Sequence, residues 1–173
     1  TVTHEVDRKY AWMYLADFCE YVAGTYHHNT VRNWKDVVAY LDRLSDFCAK
    51  GWYYVIWVHN LSFEFQFMKD YMKLTDVFCR KAHNVLKCTY RNIEFRDSLA
   101  LANCKLEKLA KNEHLSVEKA VGDLDYNLIR TPSTPITDKE MNYQRKDTEV
   151  VCAYIAKKKK EYKYLENIPT TST

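Results

Sequence analysis

The stretch Tyr53-Tyr54-Val55-Ile56-Trp57-Val58-His59-Asn60-Leu61-Ser62-Phe63-Glu64-Phe65 decides the architecture. Its first six residues form a short, continuous apolar run of aromatic and β-branched side chains, as expected of a central strand buried on both faces. His59 and Asn60 end that run, and Leu61, Phe65, Met68 and Met72 continue at helical spacing. A strand therefore passes directly into a helix. In α/β layers, the carboxyl end of such a strand is the edge where ligands usually lie. Glu64 stands four residues after Asn60, so both project on one side of a helix that starts there. An Asn cap followed by a solvated Glu would leave the same pattern.

Upstream, Asn33 caps a helix with Asp36 at its third position, and Trp34, Val37, Val38, Leu41, Leu44, Phe47 and Cys48 recur at three- and four-residue spacing until Gly51 stops it. From about Lys9 to Phe18, Tyr10, Trp12 and Tyr14 alternate with Ala11, Met13 and Leu15, which reads as a strand. A second strand is expected from Glu20 to Tyr26, turned by His27, His28 and Asn29. Downstream, Val77 to Arg80, Val85 to Tyr90 and Ile93 to Arg96 read as short strands, the first two joined around His83-Asn84. Lys105 to Lys111 reads as a short helix, and Gly122 to Tyr126 with Pro132 and Pro135 as an irregular arm. Thr137-Asp138-Lys139-Glu140 is a capping box. It opens a long last helix on which Val150, Val151, Tyr154 and Ile155 share a side with Tyr143 and Asp147. The whole is an α/β layer fold, a mixed sheet flanked by helices on both faces.

The chain has 173 residues, 47% hydrophobic and 28% charged, with 3 Gly and 3 Pro, which excludes disordered and collagen-like classes. One domain of this size hides roughly 70% of the surface of its unfolded chain. The net charge of +3 is permissive for nucleic-acid binding without announcing it. Cys19, Cys48, Cys79, Cys88, Cys104 and Cys152 stand far apart with no C-x-x-C, so neither a zinc module nor a disulfide framework is indicated. Reduced, mostly buried thiols in a cytoplasmic setting are expected. No long apolar run and no signal peptide are present, so no membrane partner is expected. The run Lys157 to Lys160 reads as a solvated face that could touch an acidic partner or attract a DNA backbone.

Polar residues concentrate in a few places: HNLSFEF (59–65), FRDSL (95–99), GDLDY (122–126) and ITDKEMNYQRKDTEVV (136–151). Within the last, Tyr143 and Asp147 share a helix face that is also the apolar one, and a carboxylate there is costly unless paired or bound to a metal. In this order, the series resembles the 3′-to-5′ exonuclease domain of protein-primed family B DNA polymerases, chiefly of phages. The resemblance runs over nearly the whole chain, including the closing IPTTST (168–173). It implies an RNase H-like (DnaQ-like exonuclease) fold that removes a mispaired 3′ nucleotide with two divalent metals, Mg²⁺ or Mn²⁺, held by carboxylates. Carried over by position, Glu64 and Asp147 are the metal ligands and Tyr143 orients the attacking water. His59, Asn60, Phe63, Ser98, Leu99 and Tyr126 fall where that family grips a single-stranded 3′ end, and Lys119 is a candidate phosphate contact. The implied partners are single-stranded DNA, a primer terminus, and, in the parent protein, a polymerase domain and a terminal protein; the implied location is the host cytoplasm.

Two departures stand out. Better-known members carry Asp at the Glu64 position, and Val121 stands where they place a lysine directly before Gly-Asp. A larger one is the absence of Asp-x-Glu on a first strand, whose spacing of two points both acids to one face. Asp17-Phe18-Cys19-Glu20 separates its acids by three residues, which in a strand aims them to opposite faces. The expectation is a domain over residues 1–165 that lacks its first strand, with residues 166–173 starting a linker, and little hydrolysis by the polypeptide as written. Asp17 or Glu20 as a displaced ligand stays open, as does a catalytically inactive single-strand-binding module on the same fold.

Overall fold

A computed structural model describes residues 2–5, 10–118, 120, 125 and 127–172. The elements follow in the order β1 (Val2–Glu5), β2 (Tyr10–Met13), β3 (Ala16–Val22), β4 (Thr25–Val31), α1 (Trp34–Phe47), β5 (Tyr54–Val58), α2 (Leu61–Met68), β6 (Thr75–Lys81), β7 (Asn84–Tyr90), β8 (Ile93–Asp97), α3 (Ser98–Ala102), α4 (Leu106–Asn112) and α5 (Asp138–Tyr162), before a single 3-10 turn at Leu165–Asn167. Strands β5-β8-β7-β6 form a mixed sheet in that order, β5 and β8 parallel and the other neighbours antiparallel. Strands β1 and β2 pair antiparallel, as do β3 and β4.

The two long helices have the ends their sequences encode. Asn33 accepts a hydrogen bond from the Asp36 backbone N–H at 2.9 Å, opening α1. Thr137 accepts from the Glu140 N–H at 3.2 Å while the Glu140 carboxylate reaches back to the Thr137 N–H at 2.9 Å, opening α5. Glu140 also receives the guanidinium of buried Arg130 at 2.6 Å. Burial pushes the Glu140 carboxyl up, but the Thr137 N–H and the Arg130 side chain outweigh it, and the group titrates below its ordinary 4.5. A depressed folded-state pKa stabilises above the unfolded value and is lost as pH falls through the folded one. The contribution of Glu140 is therefore expected to disappear below about pH 4.5. Melting temperature measured against pH should fall less steeply on that acid limb in Glu140→Gln than in the parent.

Two apolar clusters sandwich the sheet. Val37 and Leu41 of α1, Leu61 and Met68 of α2, and Ile93 and Phe95 of β8 make one; Leu109 and Ala110 of α4, Val150 and Tyr154 of α5, and Ile168 make the other. Strand β5 alternates between them, Ile56 and Val58 joining the first and Trp57 the second. The period-2 geometry of a strand divides its side chains in this way.

Several expectations need correction. The strand expected from Lys9 to Phe18 breaks at Tyr14-Leu15, whose side chains are buried, and resumes as β3. The turn expected at His27 to Asn29 lies instead at Ala23-Gly24, both at positive φ, which Gly24 adopts without a Cβ penalty. His27, His28 and Asn29 consequently lie inside β4. The strand β5 is covered on both faces but stands at one end of the four-stranded order rather than in its centre. Only Cys88 of the six cysteines is buried, and Cys79 is exposed. Lys157 and Lys158 are not a free basic face: both pair with Glu113, and Lys158 also with Glu161. Among the described residues, no helix is long and apolar enough to cross a membrane.

Candidate functional site

Parallel pairing of β5 with β8 sets Val58 opposite Asp97. The two strand-to-helix junctions, His59-Asn60 and Ser98-Leu99, therefore emerge side by side at one edge of the sheet. Asp97 fastens them together. Its Oδ1 accepts from the backbone N–H groups of Asn60 at 3.0 Å, Leu61 at 3.3 Å and Leu99 at 3.0 Å, so one buried carboxylate caps the starts of both α2 and α3. An anion satisfies the orphan N–H groups of a helix start and is favoured by the helix dipole. The imidazole Nδ1 of His59 lies 3.1 Å from the hydroxyl of fully buried Ser98, a second tie between the junctions.

With Asp97 as the cap, the Asn60 side chain is released from that duty. Asn60 sits in the left-handed region at φ 74°, makes no side-chain capping bond and is exposed. One turn on, Phe63 is 40% exposed and lies edge-on to Phe67 at 5.3 Å between ring centroids. Ser62 points the other way: its hydroxyl accepts from Val85 N–H at 2.8 Å and reaches the Val85 carbonyl at 3.3 Å, which docks α2 on β7. The helix is thereby fixed in rotation, with Leu61 and Met68 in the core and Phe63 outward.

Glu64 is half-buried in the first turn of α2. Tyr143 and Asp147 are half-buried on α5, one turn apart, and the Oδ1 atom of Asp147 is closed off from solvent. Their helices belong to different sides of the sheet, α2 over β7 and β8 and α5 over β3 and β5. His59, Asn60, Ser98 and Leu99 are thus brought together directly, whereas Glu64 and Asp147 stand on helices whose buried residues belong to different apolar clusters. Lys119 and Tyr126 lie outside the described residues, as do Gly122 and Asp123.

Glu64 and Asp147 are hard oxygen donors, the kind Mg²⁺ and Mn²⁺ take. Among the described residues, however, no group of three or more His, Cys, Asp or Glu side chains is arranged to hold a metal ion. The two fit such an ion in chemistry and fall short of it in number.

Asp17 does not make up the shortfall. Its carboxylate is 0% exposed and already receives Thr30 Oγ1 at 2.8 Å, Thr148 Oγ1 at 2.6 Å and His28 Nδ1 at 2.8 Å. The other nitrogen of His28 lies 3.2 Å from Glu149, which also holds Lys146. This cluster binds the β3–β4 hairpin to the part of α5 that immediately follows Asp147. Neither Asp97 as a double cap nor this cluster was legible as a site in the sequence. The only local signal was the Asp-Ser-Leu order at a strand end, typical of a capping residue.

Strand order, helices on both faces of a mixed sheet, and a junction site at the carboxyl edge define an RNase H-like α/β domain. Comparison with known proteins gives that class its family. Residues 47–172 match the family described as DNA polymerase type B, organellar and viral, and the chain belongs to it. Its fold is similar to that of Phi29 DNA polymerase complexed with single-stranded DNA, with a TM-score of 0.69 and 16% identity over 92% of this chain and 30% of that one. Phi29 DNA polymerase complexed with primer-template DNA and incoming nucleotide substrates gives a TM-score of 0.69 and 17% identity over 93% of this chain and 30% of that one. The chain thus spans about a third of the length of the polymerases it matches. No curated protein sequence matches it.

Proposed function

We propose that this chain is the 3′-to-5′ exonuclease, or proofreading, domain of a protein-primed DNA polymerase, built to hold the single-stranded 3′ end of a primer. The observation that carries this reading is the double cap by Asp97. It holds His59-Asn60 and Ser98-Leu99 side by side and leaves the Asn60 amide and the Phe63 ring facing outward. An exposed ring beside hydrogen-bonding groups suits a terminal nucleotide, since base stacking on an aromatic side chain contributes about 1 to 3 kcal/mol. The complexes that Phi29 polymerase forms with single-stranded and primer-template DNA support the same partner here.

In this reading, Asn60 and the Leu99 region hydrogen-bond the terminal nucleotide and Phe63 stacks on its base. Tyr143 holds a water by its phenol, and Glu64 and Asp147 supply negative charge across the carboxyl edge of β5. Two divalent ions, Mg²⁺ or Mn²⁺, would stabilise attacking and leaving oxygens in a complete centre. Such a centre needs carboxylates beyond the described residues, so little hydrolysis is expected from these residues alone. Residues 1–165 make up the proposed nuclease domain, with residues 166–173 leading toward a polymerase portion and Ile168 seated in the core.

The test is binding and degradation of 5′-labelled single-stranded DNA. Binding should weaken as salt rises. Phe63→Ala should weaken it about 10-fold or more, the loss of one stacked base. Glu64→Ala and Asp147→Ala should leave binding intact and remove any Mn²⁺-dependent shortening. Salt-independent binding that Phe63→Ala does not change would refute the assignment. A second reading, a catalytically inactive single-strand-binding module, is favoured by the short count of metal-ligating side chains among the described residues. Strong binding of single-stranded DNA with no shortening in either Mg²⁺ or Mn²⁺ would select it.

A further inference from the structure

Strand β3 and helix α5 pack against each other, and a pair of cysteines meets at that seam. The Sγ of Cys152, on α5, lies 3.8 Å from the backbone carbonyl of Cys19, on β3. Cys19 stands two residues after Asp17, whose side chain bonds Thr148 of α5, so strand alternation turns the Cys19 side chain to the same helix. Both cysteines are half-buried and neither is in a disulfide. From this geometry we infer that Cys19 and Cys152 form a redox modification site: a peroxide-class oxidant converts the dithiol into a disulfide that bolts β3 to α5.

The two cysteines are not equivalent, and the difference gives the order of steps. The hydrogen bond from Cys19 brings the Cys152 thiol below its ordinary value, against burial and the charges of Glu20 and Glu149. Donating that bond, together with burial, pushes Cys19 up. Cys152 is therefore the nucleophile, because the thiolate is the reactive form. Its sulfur attacks one oxygen of the peroxide, the O–O bond breaks, hydroxide leaves, and Cys152 becomes a sulfenic acid. The Cys19 sulfur then attacks the sulfenic sulfur, the S–O bond breaks, and the hydroxyl leaves as water with the Cys19 proton. The dithiol loses two electrons and two protons and the peroxide accepts them. A thiol reductant reverses the bond.

The position of the pair makes the bond consequential. Cys152 lies just over one turn beyond Asp147 on α5, and Cys19 neighbours Asp17, whose carboxylate already grips Thr148. A covalent link between residues 133 apart in the chain restricts the unfolded state strongly. It also fixes α5 along β3 independently of any function assigned to α5.

The 173-residue chain, treated with hydrogen peroxide and alkylated to trap remaining thiols, should yield under non-reducing digestion a cross-linked peptide pair containing Cys19 and Cys152. Before alkylation, the intact monomer should be lighter by two hydrogens. Its melting temperature should rise by about 5 to 10 °C and return after dithiothreitol. Cys152→Ser should abolish the cross-link and the rise, whereas Cys79→Ser, which removes the exposed thiol, should preserve both. Cys19→Ser should leave Cys152 as a sulfenic acid that dimedone traps. Recovery of Cys19 and Cys152 as alkylated thiols while Cys79 is oxidised would overturn the inference, as would cross-linked peptides that join any other pair.

Discussion

Asp97→Ala is expected to destabilise the chain by about 4 kcal/mol and to lower its melting temperature by roughly 10 °C or more. Three backbone N–H groups, from Asn60, Leu61 and Leu99, converge on Asp97 Oδ1 in a buried setting. Hydrogen bonds to a charged group contribute about 1.5 to 3 kcal/mol each, and an N–H left unsatisfied adds its desolvation cost. The three share one acceptor, so their effects do not sum. Because that acceptor is a single oxygen, Asp97→Asn offers a carbonyl in the same place and should recover about half of the loss or more. Urea unfolding measures both. The same substitution should weaken single-stranded DNA binding in proportion to loosening of the His59-Asn60 and Ser98-Leu99 junctions. If Asn is as damaging as Ala, charge rather than acceptor geometry holds the junctions.

Asp17→Ala should cost about 3 kcal/mol, since it leaves two hydroxyls and an imidazole facing an empty acceptor site. Here Asn should rescue poorly. Thr30 donates to Oδ1 while Thr148 and His28 address Oδ2. An amide NH₂ on the Oδ2 side would oppose the His28 N–H, and on the Oδ1 side it would force the Thr30 hydroxyl to give up its donor role. The contrast between the two aspartates is itself a test, with Asn tolerated at Asp97 and rejected at Asp17. A metal-ligating Asp17 makes the opposite forecast: stability in Asp17→Asn would be unchanged while Mn²⁺-dependent hydrolysis vanished. Denaturant midpoints beside the DNA-shortening assay separate the two outcomes.

What could be read from the chain depends on how far the physical signal reaches. Helix α1 was legible from Asn33, the apolar spacing after it and Gly51, and α5 from the Thr137 capping box, because caps and periodicity act within a few residues. The β5–α2 junction was legible because a buried strand and a helix each leave a distinct apolar pattern. The hairpin of β3 and β4 was misplaced by several residues. Its exposed tip and its polar β4 carry no clean alternation, and His28, which looks like a turn residue, serves as an interior partner. Helix α3 was missed because five residues are too short to show a period.

The sequence by itself determined the class of fold, the family resemblance and the residues that line the junctions, since all of these rest on local pattern and on the order of motifs. The tertiary structure alone decided which groups those residues meet in the folded chain. Asp97 joins two helix starts because β5 and β8 run parallel, a pairing between segments 39 residues apart that no local pattern encodes. Asp17 is held in a buried hydrogen-bonded cluster because Thr148, 131 positions away, arrives on α5 to bond it. A buried carboxylate takes its role from the donors that surround it, and folding chooses those donors.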